Sequence, residues 1–139
     1  MDFLDASALV KNYIAEAHSD KIVALLARTV PACARLGIVE VGSALARRER
    51  EGELGAADRR QAADRLRVDA LRLHLVDLSA PVANRALEAL ERHALRASDA
   101  IQLASALVLR DEIGSPVTFW CFDLRLAEAA ERENFLLPA

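Results

Sequence analysis

Four acidic residues occupy positions where a carboxylate is unusual. Asp5 follows a short apolar run at the start of the chain, and Asp123 follows the β-prone run 117–122. Glu40 lies between apolar residues, and Asp99 stands at the start of an apolar helical pattern. Carboxylates brought together repel one another, and a divalent cation relieves that repulsion. Oxygen ligands suit Mg²⁺ or Mn²⁺, and such a site supports phosphodiester hydrolysis by a metal-activated water.

Helix capping and ion pairing are the simpler alternatives for the same residues. Aspartate at a helix N-cap accepts hydrogen bonds from free backbone amides, and Asp5, Asp99 and Asp123 all lie at predicted helix starts. Gln102 follows Asp99 by three residues, which is the spacing of a capping box. Capping explains any one aspartate taken alone. Glu40 lies inside a helical pattern, so its alternative is a salt bridge with an arginine.

The pattern of apolar segments predicts the elements that position these acids. Short β-prone segments alternate with longer helical ones, which is typical of a parallel sheet covered by helices. Ligands of such sheets bind beyond the carboxyl ends of the strands, where Asp5 and Asp123 are expected. We predict strands at 2–4, 29–33, 73–78 and 117–122, with a short last strand at 135–137. We predict the main helices at 36–46 with a charged extension to 51, at 56–72, from 80 to about 93, at 98–109 and at 124–133.

Composition limits the class of protein. The 139 residues fit one domain, and a hydrophobic fraction of 53% is ample for a core, so disorder is not expected. The net charge of −3 is not the basic balance typical of nucleic-acid binding, although it leaves room for a local arginine patch. Cys33 and Cys121 have no metal-ligand spacing and are expected to be reduced. With no signal peptide or membrane-spanning run, we expect a soluble cytoplasmic protein.

The motifs, in their order along the chain, resemble those of a known family. They are LDASALVK from residue 4, VEV around Glu40, SDAIQLASA from residue 98 and FDLRLAEAA from residue 122. This series resembles the PIN domain, and most closely the VapC-type toxins of bacterial toxin–antitoxin systems. The likeness spans nearly the whole chain, so residues 1–139 are expected to form a single PIN domain. The first and third motifs together carry most of its specificity.

The resemblance implies an α/β fold, a three-layer α/β/α sandwich with a central parallel sheet. It implies an endoribonuclease that depends on Mg²⁺, with Mn²⁺ as a possible substitute, and that acts on RNA. It also implies a homodimer that is inhibited by a cognate antitoxin protein. Its catalytic and metal-binding acids would be Asp5, Glu40, Asp99 and Asp123, with Ser7 as a supporting hydroxyl.

Two residues depart from the family pattern. Cys121 stands where a Thr or Ser before the fourth acid is common, so the hydrogen bonding around Asp123 is expected to differ from the family pattern. Asn134 stands where the last helix often ends in Gly, but asparagine also tolerates the left-handed conformation. Neither change removes an acid.

Other functions have weaker support. Haloacid-dehalogenase-type phosphatases need a second aspartate two residues after the first, and that position is Ser7. A receiver domain would need a late lysine, whereas Lys11 and Lys21 are both early. The five scattered glycines form no phosphate-binding loop. A non-catalytic PIN-like module that binds RNA or a partner protein remains the alternative to the nuclease.

A run of arginines is the remaining candidate for RNA contact. Arg47, Arg48 and Arg50 could contact phosphates, but the interleaved glutamates favour a solvated helix face. Trp120 could stack on a base, although its place in a β-prone run favours a core position.

Overall fold

Helices and strands alternate along the chain, as the apolar pattern predicts. The computed structural model describes residues 1–138. Its strands are β1 (Asp2–Leu4), β2 (Ala32–Ala34), β3 (His74–Val76) and β4 (Thr118–Trp120). Its helices are α1 (Ala6–Leu9), α2 (Ser19–Arg28), α3 (Arg35–Arg50), α4 (Ala56–Ala70), α5 (Ala80–Arg92), α6 (Ala97–Ile113) and α7 (Leu124–Arg132), and a short 3-10 turn, Val10–Asn12, continues α1.

The four strands form one parallel sheet in the order β3-β2-β1-β4. Strand β1 therefore lies inside the sheet, with Leu4 paired to Trp120 of β4 and Phe3 paired to Ala32 of β2. Because β1 and β4 are parallel neighbours in register, the residues that follow them emerge side by side. The predicted convergence of the segments after these two strands is confirmed.

Alternating side chains of the strands face two separate hydrophobic cores. Phe3 stacks on Phe119 with ring centroids 5.4 Å apart, in a core that includes residues of α5, α6 and α7. Leu4 and Cys33 point to the opposite face, into a core built with residues of α1 to α4. Helices thus cover both faces of the sheet, and the predicted three-layer α/β/α architecture is confirmed.

Several predicted boundaries are wrong by a few residues, each for a local reason. Thr29 ends helix α2 and Val30 is 52% exposed, so β2 begins only after the buried Pro31. The predicted last strand is reduced to an isolated bridge between Leu136 and Thr118. Asn134 has a φ of 65°, which confirms the expected left-handed position after α7.

The remaining composition-based expectations concern the cysteines and membranes. Cys33 is buried, Cys121 is partly buried, and both are free thiols. Within residues 1–138, no helix combines the length and the apolar character needed to cross a bilayer.

Candidate active site

Asp5 caps a helix and is also placed at the carboxyl edge of the sheet. It follows β1 directly, and its backbone N–H donates to the Trp120 carbonyl at 3.1 Å. Its Oδ1 accepts hydrogen bonds from the Ala8 N–H at 2.9 Å and the Ser7 hydroxyl at 2.7 Å. The capping interpretation is therefore correct for Asp5, but it accounts only for the hydrogen bond from the Ala8 N–H and not for the one from Ser7.

The second oxygen of Asp5 is bound by the residue that departs from the family pattern. The Cys121 Sγ lies 3.2 Å from Asp5 Oδ2 and 3.4 Å from the backbone N of Asp123. The Cys121 thiol therefore links the Asp5 carboxylate to the backbone of Asp123, at the place where the family pattern has a Thr or Ser hydroxyl. Asp5 is 4% exposed, and this burial raises its pKa from 3.8 to about 6 despite the hydrogen bonds it accepts. The charge of Glu40 adds to the rise.

Asp123 is the exposed acid of the group. It caps α7, because its Oδ1 accepts a hydrogen bond of 3.0 Å from the Leu126 N–H. The residue before it, Phe122, donates its backbone N–H to the Ser7 hydroxyl at 2.9 Å. Ser7 thus connects the loop before α7 with the segment that carries Asp5.

Asp99 is not a cap, so that interpretation is wrong. Helix α6 begins at Ala97, with Arg96 as its N-cap and no capping side chain. Asp99 lies in the first turn, where the helix dipole favours a negative charge. Burial is the main cause that raises the pKa of Asp99, and the nearby charge of Asp123 raises it further. The charges of Arg96 and Arg125 act in the opposite direction.

Glu40 lies on α3 and is held by an amide rather than by an arginine. Its Oε1 accepts a hydrogen bond of 2.7 Å from Nε2 of Gln102, which is on α6. No lysine or arginine in the part of the chain that the structure describes forms an ion pair with Glu40. Both the salt-bridge alternative and the capping box that would pair Gln102 with Asp99 are therefore wrong.

Two clefts meet at Glu40. One, of about 690 Å³, is lined by Glu40, Asp99 and Asp123 together with Arg96 and Arg125. The other, of about 310 Å³, is lined by Glu40, Ser7 and Arg47 among others. The fold thus brings the four acids and Ser7 to one edge of the sheet. A separate hollow of about 490 Å³ along α4 contains none of them.

The acids at this edge suit a divalent cation by chemistry, although they do not enclose one. Among residues 1–138, no three acidic, histidine or cysteine side chains are close enough to surround a metal ion. Their charges do act on one another: the charge of Glu40 raises the pKa of Asp5, and the charge of Asp123 raises the pKa of Asp99. An all-oxygen set of mutually repelling carboxylates is the type of site that Mg²⁺ or Mn²⁺ prefers.

The predicted run of arginines divides into residues with different surroundings. Arg47 lines the cleft beside Ser7, whereas Arg48 forms an ion pair of 2.9 Å with Glu16 and so points elsewhere. Arg50 is exposed on the last turn of α3. Trp120 packs against the α1–α4 core and donates its Nε1–H to an oxygen of Asp2 at 2.8 Å, so its core interpretation is confirmed.

Sequence reasoning missed three side chains at this edge. Arg96 and Arg125 line the acidic cleft, and Gln102 binds Glu40. The signal for the arginines was their position, since Arg125 lies within the motif of Asp123 and Arg96 lies two residues before the motif of Asp99. Gln102 stood within its motif, but nothing in the sequence indicated a partner on α3.

Comparisons with known proteins agree with this fold. The family model described as "PIN domain" matches residues 3–132. A comparison with curated proteins finds no match. Among solved structures, VapC20 of Mycobacterium tuberculosis, a Sarcin-Ricin loop cleaving toxin, superposes with a TM-score of 0.67 at 18% identity, over 93% of this chain and 95% of that one.

Two further solved structures are toxin–antitoxin assemblies. VapBC2 of Rickettsia felis, bound to a DNA fragment from its promoter, has a TM-score of 0.66 at 13% identity and covers 99% of this chain and 96% of that one. A toxin–antitoxin complex of Klebsiella pneumoniae has a TM-score of 0.59 at 18% identity, over 85% of this chain and 84% of that one. At such identities the likeness is one of fold.

Proposed function

Because the chain belongs to the PIN domain family, we propose that it is a metal-dependent endoribonuclease and the toxin of a type II toxin–antitoxin system. The whole chain, residues 1–139, would act as one PIN domain. The observation that carries the proposal is the convergence of Asp5, Glu40, Asp99 and Asp123 on one edge from four separate elements. Helix capping explains Asp5 and Asp123 individually, but it gives no reason for Asp99 and Glu40 to share their cleft.

The proposed cofactor is Mg²⁺, with Mn²⁺ as a substitute. Asp5 and Asp99 would be the principal ligands, and Glu40 and Asp123 would complete the site directly or through water. When bound there, the cation would polarise the phosphate oxygens and activate the attacking water. The chain's own part is to hold the carboxylates in place: Ser7, Ala8 and Cys121 all donate to Asp5, so its two oxygens cannot rotate freely.

Basic side chains beside the acids support a phosphate-bearing substrate. Arg96 and Arg125 line the cleft on one side of Glu40, and Arg47 lines the cleft on the other side. All three are exposed. We propose that they contact the RNA backbone on both sides of the bond that is cut, since guanidinium groups bind phosphates in fixed geometry.

The proposed partners are a cognate antitoxin and a second copy of the chain. Two of the similar structures are toxin–antitoxin assemblies, which supports an antitoxin for this chain. Val39 and Leu124, next to Glu40 and Asp123, are 66% and 75% exposed and could be covered by such a partner. We propose the cytoplasm as its location, where its RNA substrate would be found.

Two asparagine substitutions test the function. Asparagine caps a helix about as well as aspartate, so Asp5→Asn should stay folded. Asp99→Asn should also stay folded, because the Asp99 side chain makes no capping hydrogen bond. Each change removes a charge that a metal needs. We expect Mg²⁺-dependent RNA cleavage to fall at least about 100-fold, the scale of losing one electrostatic contribution to catalysis. The matched control is Asp58→Asn, an exposed acid in the first turn of α4 away from the edge. Cleavage like that of wild type by both site variants would refute the metal site.

One observation favours the non-catalytic alternative. Among residues 1–138, no three possible ligands are close enough to enclose an ion. If the antitoxin-free wild type cleaves nothing in a broad RNA panel with Mg²⁺ or Mn²⁺, the chain is a module that binds RNA or a partner protein. If it cleaves, sequencing the RNA ends identifies the target and the position of the cut.

A further inference from the structure

The buried amide of Gln102 joins two of the elements that carry the acids. Gln102 is 1% exposed and lies one helical turn after Asp99 on α6. Its Nε2 donates to Oε1 of Glu40 on α3 over 2.7 Å, a short distance that is typical of a hydrogen bond to a charged acceptor. A change in the position of Gln102 would therefore be passed directly to the Glu40 carboxylate.

The Gln102 amide is a neutral donor, which suits its acceptor Glu40 if that carboxylate is to bind a cation. An arginine at the same place would orient Glu40 but would also cancel its charge, whereas an amide orients the carboxylate and leaves the charge intact. Gln102 occupies only Oε1, and no side chain or backbone group of residues 1–138 forms a hydrogen bond or ion pair with Oε2. One oxygen of Glu40 is thus fixed and the other stays available.

The other end of the Gln102 amide has no partner. Its Oε1 is buried and accepts no hydrogen bond from any group in the described chain. Turning the amide over would place this oxygen against the Glu40 carboxylate, and the two would repel each other. A buried acceptor without a donor costs folding free energy. The orientation therefore serves Glu40 rather than the packing of the core.

A glycine leaves the space that Gln102 uses. Gly37 is buried on α3, one turn before Glu40. A Cβ atom at Gly37 would lie 3.3 Å from Gln102 Nε2, closer than an ordinary van der Waals contact, so the amide would have to move. At Gly42 on the same helix, an added Cβ meets no atom within 4 Å. The close approach to Gln102 therefore sets residue 37 apart from residue 42, although both are glycines of the same helix.

We propose that Gln102 is a positioning residue. It fixes the Glu40 carboxylate in the orientation that a divalent cation requires at the acidic edge, the edge of the sheet where Asp5, Glu40, Asp99 and Asp123 lie. Gly37 leaves the space that the Gln102 amide occupies. Groups that hold metal ligands from behind set both their direction and the affinity of the site. The inference rests on the proposed function, because Glu40 has a cation to bind only if the site is metal-dependent.

The first test is Mn²⁺ binding by titration calorimetry without RNA, on the full chain with Gln102→Met. Methionine has a similar length and cannot donate, and it removes the unpaired Oε1. We expect the association constant for Mn²⁺ to fall about 10- to 100-fold, the usual effect of losing such a supporting group. The loss of affinity is expected whether or not the melting temperature of the metal-free protein changes, since methionine removes both the bond to Glu40 and the unpaired Oε1. A purely structural role predicts a lower melting temperature with unchanged affinity.

A double-mutant cycle tests whether Gln102 acts through Glu40. In a Glu40→Gln background, Gln102→Met should change the Mn²⁺ affinity by less than about twofold, because the group it orients is already gone. The full loss persisting in that background would overturn the proposal. If Glu40→Gln binds too weakly to measure, the glycine pair decides. Gly37→Ala should weaken Mn²⁺ binding and Gly42→Ala should not, while equal affinities for the two would count against the proposal.

The possible failures are distinguishable. A wild-type protein that binds no Mn²⁺ and cleaves no RNA overturns the proposed function, and this inference with it. A wild-type protein that binds Mn²⁺ while Gln102→Met binds it equally well overturns the inference alone.

Discussion

The hydroxyl of Ser7 accepts a hydrogen bond of 2.9 Å from the backbone N–H of Phe122, 115 residues away in the chain. The same hydroxyl donates to Asp5 Oδ1 at 2.7 Å. One small side chain thus fixes the loop that leads into Asp123 relative to the carboxylate of Asp5. The two acids that follow neighbouring strands are joined by a hydroxyl as well as by the sheet.

Removing that hydroxyl should separate the two acids. We expect Ser7→Ala to lower the unfolding free energy by about 1–2 kcal/mol, because it removes both hydrogen bonds. RNA cleavage should fall further than stability accounts for, and Ser7→Thr should retain most of it. Denaturant unfolding and cleavage rates check this. Ser43→Ala is the control, since Ser43 is exposed in the same cleft; equal rates for the two alanine variants would contradict the prediction.

Burial of Asp5 should make the metal-free protein less stable as the pH rises. Its pKa is raised from 3.8 to about 6 by burial, so the folded state holds this proton more tightly than the unfolded state does. The resulting stability is fully present below about pH 4 and is lost as the pH rises through about 6. A pKa shift of this size corresponds to a loss of about 3 kcal/mol in the unfolding free energy of the protein once the pH is above both pKa values.

Unfolding in urea with EDTA at several pH values measures this loss. Asp5→Asn has no such proton, so the stability of wild type relative to that variant should decline between pH 4 and pH 7. The exposed Asp58→Asn variant serves as the control. A constant difference between wild type and Asp5→Asn would contradict the expected pKa.

Divalent cations should stabilise the protein through the same acids. A ligand at 100 times its dissociation constant, when it binds only the folded state, adds about 2.7 kcal/mol to the unfolding free energy. We therefore expect Mg²⁺ or Mn²⁺ to raise the melting temperature and EDTA to reverse the rise. Asp99→Asn should lose most of this response and Asp58→Asn should keep it. An equal response from all three proteins would show that the cations act elsewhere.

The arginines beside the acids should control RNA affinity and its dependence on salt. Arg96→Gln and Arg125→Gln should each weaken RNA binding and reduce the slope of log affinity against log salt by about 0.7, the value for one phosphate contact on a single strand. Fluorescence anisotropy in EDTA measures binding without cleavage. Arg48→Gln is the control, because Arg48 is paired with Glu16. A slope changed as much by Arg48→Gln as by the other two would argue against a specific path for the RNA.

The sequence predicts the elements of the fold and the positions of two acids because both depend on local signals. A β-prone run, an acid and a helical pattern follow one another at Asp5 and again at Asp123. The alternation of strands and helices favours a parallel sheet, and that sheet makes the two acids neighbours. The strand ends are less predictable, because strands of three residues depend on their neighbours more than on their own composition.

Contacts between distant segments have no such local signal. Gln102 is three residues from Asp99, so the sequence suggests a cap, but α6 starts at Ala97 and Gln102 instead reaches Glu40, 62 residues away. Arg47 and Arg48 look equivalent in the sequence, but neighbouring residues of a helix point about 100° apart. In the structure, Arg47 therefore lines the cleft while Arg48 forms an ion pair with Glu16.

Helix α6 carries Asp99 in its first turn and has eight buried residues along its length. Such a helix can open only when much of the core opens, so Asp99 is carried by an element that is part of the core. Asp123 is exposed and follows β4, the last strand in the sheet order. Its loop is held to the segment of Asp5 by the hydrogen bond between the Phe122 N–H and the Ser7 hydroxyl. The cleft between Asp99 and Asp123 therefore has one wall that belongs to the core and one that local hydrogen bonds hold in place.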